Sequence, residues 1–131
     1  MSPNLNKKVL IVDDDQFLLN MYSIKLKKFG FEVDTASGGQ EVLNKLRDVA
    51  TPDVLLLDVV MPSMDGLELL ERIRSEKFVP NAAVIILSNQ SQPSDIERAT
   101  SLGIASYIEK ASSIPSEVVA EVIKVLSASG E

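Results

Sequence analysis

The sequence predicts an α/β fold: a doubly wound sheet of five parallel strands with five helices covering both faces. Three observations lead there. Short, nearly uninterrupted aliphatic runs recur at Val9 to Val12, Val54 to Leu57 and Val84 to Leu87, and runs without polar alternation suit strands covered on both sides. Stretches of helical periodicity separate the runs, so that strand and helix alternate five times along the chain. Crossovers between parallel strands are right-handed, which distributes the helices over both faces of the sheet.

The elements follow in order. After the first strand, Leu18, Tyr22, Leu26 and Phe29 share one helical stripe, and Gly30 stands where a left-handed C-terminal cap is wanted. Phe31 to Thr35 alternates apolar and polar residues, the pattern of an edge strand. Ser37 with Gln40 predicts a capping box ahead of Val42, Leu43, Leu46 and Val49. Asp65 with Glu68 repeats that logic ahead of Leu69, Leu70 and Ile73. A helix from about Ser94 should stop at Gly103, and Ala105 to Ile108 supplies a short fifth strand. The last helix should start near Pro115, a residue suited to the first turn, and bury Val118, Val119, Val122, Ile123 and Leu126. No linker or internal repeat interrupts this series, so residues 1–131 read as a single domain with a core of about 7–127.

Composition excludes several chemistries. The chain has no Cys and no His, which removes disulfides, thiol catalysis, serine triads and Cys/His zinc sites. A metal would have to sit on oxygen ligands, as Mg²⁺, Ca²⁺ or Mn²⁺ do. A net charge of −6 speaks against direct binding of nucleic acid, which needs a basic face. No apolar run reaches the roughly 18 to 20 residues of a membrane span, and the N-terminus lacks a signal-peptide pattern. A cytoplasmic location is expected.

If the strands are placed correctly, their C-terminal ends deliver Asp13, Asp14 and Asp15 after the first, Asp58 after the third, Ser88 after the fourth and Lys110 after the fifth. Ligands in such sheets collect at that edge. Each residue also has a plainer role: Asp14 or Asp15 as a helix cap, Asp58 as a polar residue leaving a strand, Lys110 as a solvated charge, Ser88 as a loop hydroxyl. Their convergence on one edge favours chemistry. Carboxylates ~4 Å apart repel by about 4 kcal/mol at an effective dielectric of ~20, so a cation is needed, and a partly hydrated Mg²⁺ suits the oxygen donors. Asp58 is then placed to attack phosphorus as an aspartyl nucleophile. Mg²⁺ and Lys110 would offset the phosphoryl charge while the Ser88 hydroxyl hydrogen-bonds an oxygen.

These residues resemble the receiver domains of response regulators. The resemblance spans nearly the whole chain and rests on Val9-Leu10-Ile11-Val12-Asp13-Asp14-Asp15, Pro52-Asp53-Val54-Leu55-Leu56-Leu57-Asp58, Met61-Pro62, Asp65-Gly66, Ser88, and Tyr107 with Lys110. It implies a flavodoxin-like sheet of strand order 2-1-3-4-5. It further implies that a sensor histidine kinase or histidine phosphotransfer protein phosphorylates Asp58, and that Asp13, Asp14, Asp58 and the backbone carbonyl of Val60 hold Mg²⁺. Ser88 and Tyr107 would form a switch that reshapes the face of the fourth helix, fifth strand and fifth helix for a separate effector protein. The alternative for Tyr107 is a half-buried ring with its hydroxyl in water. The chain would act as a monomer or phosphorylation-dependent dimer, and not as an enzyme beyond slow autodephosphorylation.

The sequence departs from the family at three places. Ala111 follows Lys110 where Pro, often after a cis bond, is usual; a cis bond before Ala costs about 2.5 to 4 kcal/mol, so a trans bond is expected. Asn89 replaces a small residue after the switch hydroxyl. Val60 and Gln90 offer no ionised base beside the site, which predicts slow hydrolysis of the phosphoryl group. Leu18 and Met21 are candidates for kinase docking as well as for core packing. Three other functions stay open: a haloacid dehalogenase-type phosphatase, to which the Asp13–Asp15 spacing also answers, a flavodoxin-like cofactor binder, and a receiver-like docking module that is not phosphorylated.

Overall fold

The computed structural model describes residues 7–13, 15–48, 52–58, 66–75, 83–88, 93–109 and 115–129. Among them strand and helix alternate as β1 (Lys8–Val12), α1 (Gln16–Lys28), β2 (Glu32–Ala36), α2 (Gly39–Asp48), β3 (Val54–Asp58), α3 (Gly66–Ser75), β4 (Ala83–Ser88), α4 (Pro93–Ser101), β5 (Ser106–Glu109) and α5 (Pro115–Ser129). The strands form one parallel sheet in the order β2-β1-β3-β4-β5, as expected.

Successive side chains of a strand point to opposite faces, and here both faces are covered. Val9, Ile11, Val54, Leu56, Ile85 and Leu87 pack with Leu19, Tyr22 and Leu26 of α1 and Val118, Val119 and Val122 of α5. Leu10, Val12, Leu55, Leu57, Val84 and Ile86 pack with Val42, Leu43, Leu69, Leu70, Ile73 and Ala99 of α2, α3 and α4. The central strands are therefore apolar throughout Val9 to Val12, Val54 to Leu57 and Ala83 to Leu87, which is why these runs lack alternation. Each buried aliphatic side chain contributes about 1.5–3 kcal/mol relative to exposure. β2, at the edge, is only partly covered.

Helix ends explain where the chain turns. After α1, Gly30 adopts φ 95°; its N–H donates to Lys27 O at 3.1 Å and the Phe31 N–H donates to Leu26 O at 3.3 Å. These two bonds make a Schellman ending, with Phe31 and Leu26 buried in the same cluster. Of the expected stripe of α1, Tyr22 and Leu26 are buried; at its ends Leu18 is only partly buried beside the buried Leu19, and Phe29 lies 49% exposed past the helix end. The capping box of α2 also moves. The helix starts at Gly39 and Val42 N–H donates to Gly38 O, and Glu41 reaches back to accept from the Ser37 N–H and hydroxyl, each at 3.0 Å; the Gln40 side chain lies outside the described residues. The Ser37 N–H is the main reason that the Glu41 carboxyl lies below its ordinary range. Leu46 and Asp65 side chains and Val49 lie outside the described residues. Gly103, at φ 81°, closes the turn after α4 as expected.

Candidate functional site

The C-terminal edge of the sheet gathers its polar residues at one level. Asp13 follows β1, and its N–H donates to Ala36 O at 3.1 Å, extending the ladder by one step. Its side chain is fully buried, and its Oδ1 accepts the Asp15 N–H at 3.0 Å. Asp15 is extended at the N-cap of α1, and its Oδ1 accepts from Phe17 N at 2.9 Å and Leu18 N at 3.3 Å. The two acids therefore divide the work: Asp15 caps the helix and is exposed, whereas Asp13 is inward. Asp14 lies outside the described residues.

Register brings the other strands alongside. Val12 pairs with Leu57, so Asp13 and Asp58 are the next positions on neighbouring strands, whose backbones run about 4.8 Å apart. Asp58 pairs with Leu87, and Ser88, next on β4, pairs with Glu109 of β5. Ser88 is buried. These are the two buried polar or charged residues among the described ones, Asp13 and Ser88, and both stand at this edge. For Asp58 the backbone is described and the side chain is not; Val60, Asn89, Gln90, Lys110 and Ala111 lie outside the described residues, as does the bond joining the last two.

Tyr107 pairs with Ile86 on the face that α4 covers. Ser88, two residues beyond Ile86, falls on that same face. The ring packs with Leu102 and Ile104 against the α2–α4 core, and its hydroxyl is buried with no hydrogen-bond partner among the described residues. Of the alternative for Tyr107, the half-buried ring is found, but its hydroxyl is buried and not in water.

Three features escaped the sequence reading. Phe17 is 72% and Ile24 58% exposed, and with half-buried Met21 they recur at i, i+4 and i+7 opposite the buried Leu19–Tyr22–Leu26 stripe. The α1 sequence carries two apolar registers, of which Met21 belongs to the outer one, whereas Leu18, the other docking candidate, packs against the core. Asp53, a family mark without an assigned role, accepts the Lys8 N–H at 2.8 Å and ties the starts of β1 and β3 together. Arg74 of α3 donates to the backbone after α4.

No described helix is long and apolar enough to cross a membrane. The family model for the response regulator receiver domain matches residues 9–122. The chemotaxis protein CheY of Thermotoga maritima is 34% identical over 122 residues, covering 92% of this chain and 98% of that protein. The alkaline phosphatase synthesis transcriptional regulatory protein PhoP of Bacillus subtilis is also 34% identical, over 93% of this chain but 49% of its own length; the chain likewise spans 16% of protein RcaC of Microchaete diplosiphon and 45% of the probable transcriptional regulator ycf27 of Guillardia theta. Among solved structures, the Vibrio cholerae chemotaxis protein CheY4 superposes with a TM-score of 0.84 at 30% identity, covering 92% of this chain and 99% of that one. A CheY-like receiver domain from Methanospirillum hungatei gives 0.86 at 27% identity, over 95% and 97% of the two chains.

Proposed function

Because the chain belongs to the response regulator receiver domain family, we propose that Asp58 is its phosphoacceptor, charged by a phosphohistidine of a sensor histidine kinase or histidine phosphotransfer protein. A carboxylate oxygen of Asp58 attacks phosphorus, the P–N bond to the donor imidazole breaks, and the imidazole leaves with a proton. No protein base is needed, in keeping with a chain that has no histidine.

One observation carries this reading: buried Asp13 and Ser88 flank the Asp58 position on neighbouring strands at a single sheet edge. Independent surface residues have no reason to be there, and a buried carboxylate is costly without compensation. The all-oxygen donor set fits Mg²⁺, which Asp13, Asp14, Asp58 and the Val60 carbonyl would hold. When bound, Mg²⁺ supplies positive charge opposite the phosphoryl oxygens. Lys110 supplies a second positive charge, and the Ser88 hydroxyl donates to a phosphoryl oxygen. Ser88 and Tyr107 share a face, so a change at the first alters the packing of the second and of the α4–β5–α5 surface that an effector protein would read. The phosphatase alternative loses ground because Asp15, its second acid, is spent on capping α1.

The test is labelling with acetyl phosphate, or beryllofluoride binding, with and without Mg²⁺. The wild type should take up one phosphoryl group only with Mg²⁺, and Asp58→Asn none. Modification of both forms at another residue would overturn the assignment, and turnover of phosphate esters would revive the phosphatase.

A further inference from the structure

α4 is fastened to the molecule differently from its neighbours. α3 buries Leu69, Leu70 and Ile73, and α5 buries Val118, Val119 and Val122. In α4, Ala99 is the one buried side chain among the described residues. A single methyl group removes little apolar surface from water.

Polar contacts with α3 take over that task. The Arg98 Nε donates to Glu71 Oε2 at 2.8 Å. One turn further along α3, Arg74 Nε donates to Leu102 O at 2.9 Å and its Nη2 to Gly103 O at 3.0 Å. A helix C-terminus leaves carbonyls without intrahelical partners and carries partial negative charge. The planar guanidinium offers two N–H groups in a fixed fork to two successive carbonyls, which a lysine cannot copy. The turn so gripped carries Leu102 and leads to Ile104, the two side chains that pack with Tyr107 against the core.

The geometry points to a latch: Arg74, assisted by the Glu71–Arg98 pair, holds α4 and its C-terminal turn down over Tyr107, and its release uncovers Tyr107. The latch acts whether or not Asp58 accepts phosphorus. It makes α4 the element that opens without unfolding of the remainder.

Hydrogen exchange on the full chain tests this with Arg74→Ala, Arg74→Lys and Glu71→Gln, alongside ¹⁹F spectra of fluorotyrosine-labelled protein. The chain has two tyrosines, and Tyr22, buried on the opposite face, serves as the internal reference. In Arg74→Ala, amides of α4 and β5 should exchange about tenfold faster, the loss of a charged hydrogen bond, while those of α1 and β1 keep their rates. The Tyr107 resonance should gain a solvent isotope shift and the Tyr22 resonance none. Arg74→Lys should resemble Arg74→Ala, and Glu71→Gln should give a smaller change in the same amides; these two milder variants decide the matter if Arg74→Ala does not fold. Unchanged exchange in α4, an equal rise in α1, or a Tyr107 still shielded in both Arg74 variants would overturn the latch.

Discussion

A buried hydroxyl without a partner costs roughly 1–3 kcal/mol, and the Tyr107 hydroxyl stands in that position. Tyr107→Phe removes the group and keeps the ring, so urea unfolding should show about 1 kcal/mol more stability; a less stable variant would mean that the hydroxyl is satisfied. The sequence could not foretell this burial, because it depends on the core cluster, built by other elements, against which Tyr107 packs together with Leu102 and Ile104. Neither could three consecutive aspartates reveal which is the cap. That is decided by where α1 begins and by the extended backbone of Asp15. Asp34 offers a residue-scale test of charge. Burial acts to raise its carboxyl, but hydrogen bonds from the Lys45 ammonium and Thr35 N–H, together with the charges of Lys45 and Lys8, outweigh it and hold it below the ordinary 3.8. A lowered folded-state value means that the stabilisation is present above 3.8 and is lost as pH falls through the lower value. In Lys45→Met the Asp34 titration, followed by carboxyl ¹³C shifts, should move upward; an unmoved midpoint would refute the pairing.

At the scale of elements, the central strands were legible because burial on both faces writes a continuous aliphatic run, and Gly30 and Gly103 were legible because both positions need positive φ. The start of α2 was misplaced by one residue, since Ser37 can serve an acceptor three or four positions ahead and only the backbone bond to Gly38 O chooses between them. α1 held the larger surprise. Its second stripe, Phe17, Met21 and Ile24, leads toward Lys27 and Lys28, on a chain whose net charge is negative. A phosphodonor helix with an apolar face and acidic margin would fit there. Phe17→Asp and Ile24→Asp should slow phosphotransfer from a kinase at least tenfold, while labelling by acetyl phosphate and thermal stability stay near wild type. Equal loss with both donors would place the effect in the site itself.

For the whole molecule, the alternation of elements spoke for a parallel sheet, yet periodicity says nothing about which strands are neighbours. The order β2-β1-β3-β4-β5 was legible through the family resemblance alone. The expected partners Lys110 and Asp14 lie outside the described residues. A ligand that binds only the folded state stabilises it by mass action. Millimolar Mg²⁺ should therefore raise the Tm of the wild type by roughly 5 °C, and Asp13→Asn should lose this response while melting higher than wild type in EDTA. A Tm indifferent to Mg²⁺ would count against the acidic corner as a cation site.

The single bond from the Asp15 amide to the Asp13 carboxylate joins two tasks that are otherwise separate. Because Asp15 caps α1 and its own amide holds the buried Asp13 carboxylate, a protein that gripped the outer side of that helix would also steady the acid at the sheet edge. Under the proposed function, delivery and reception of the phosphoryl group would then share one anchor.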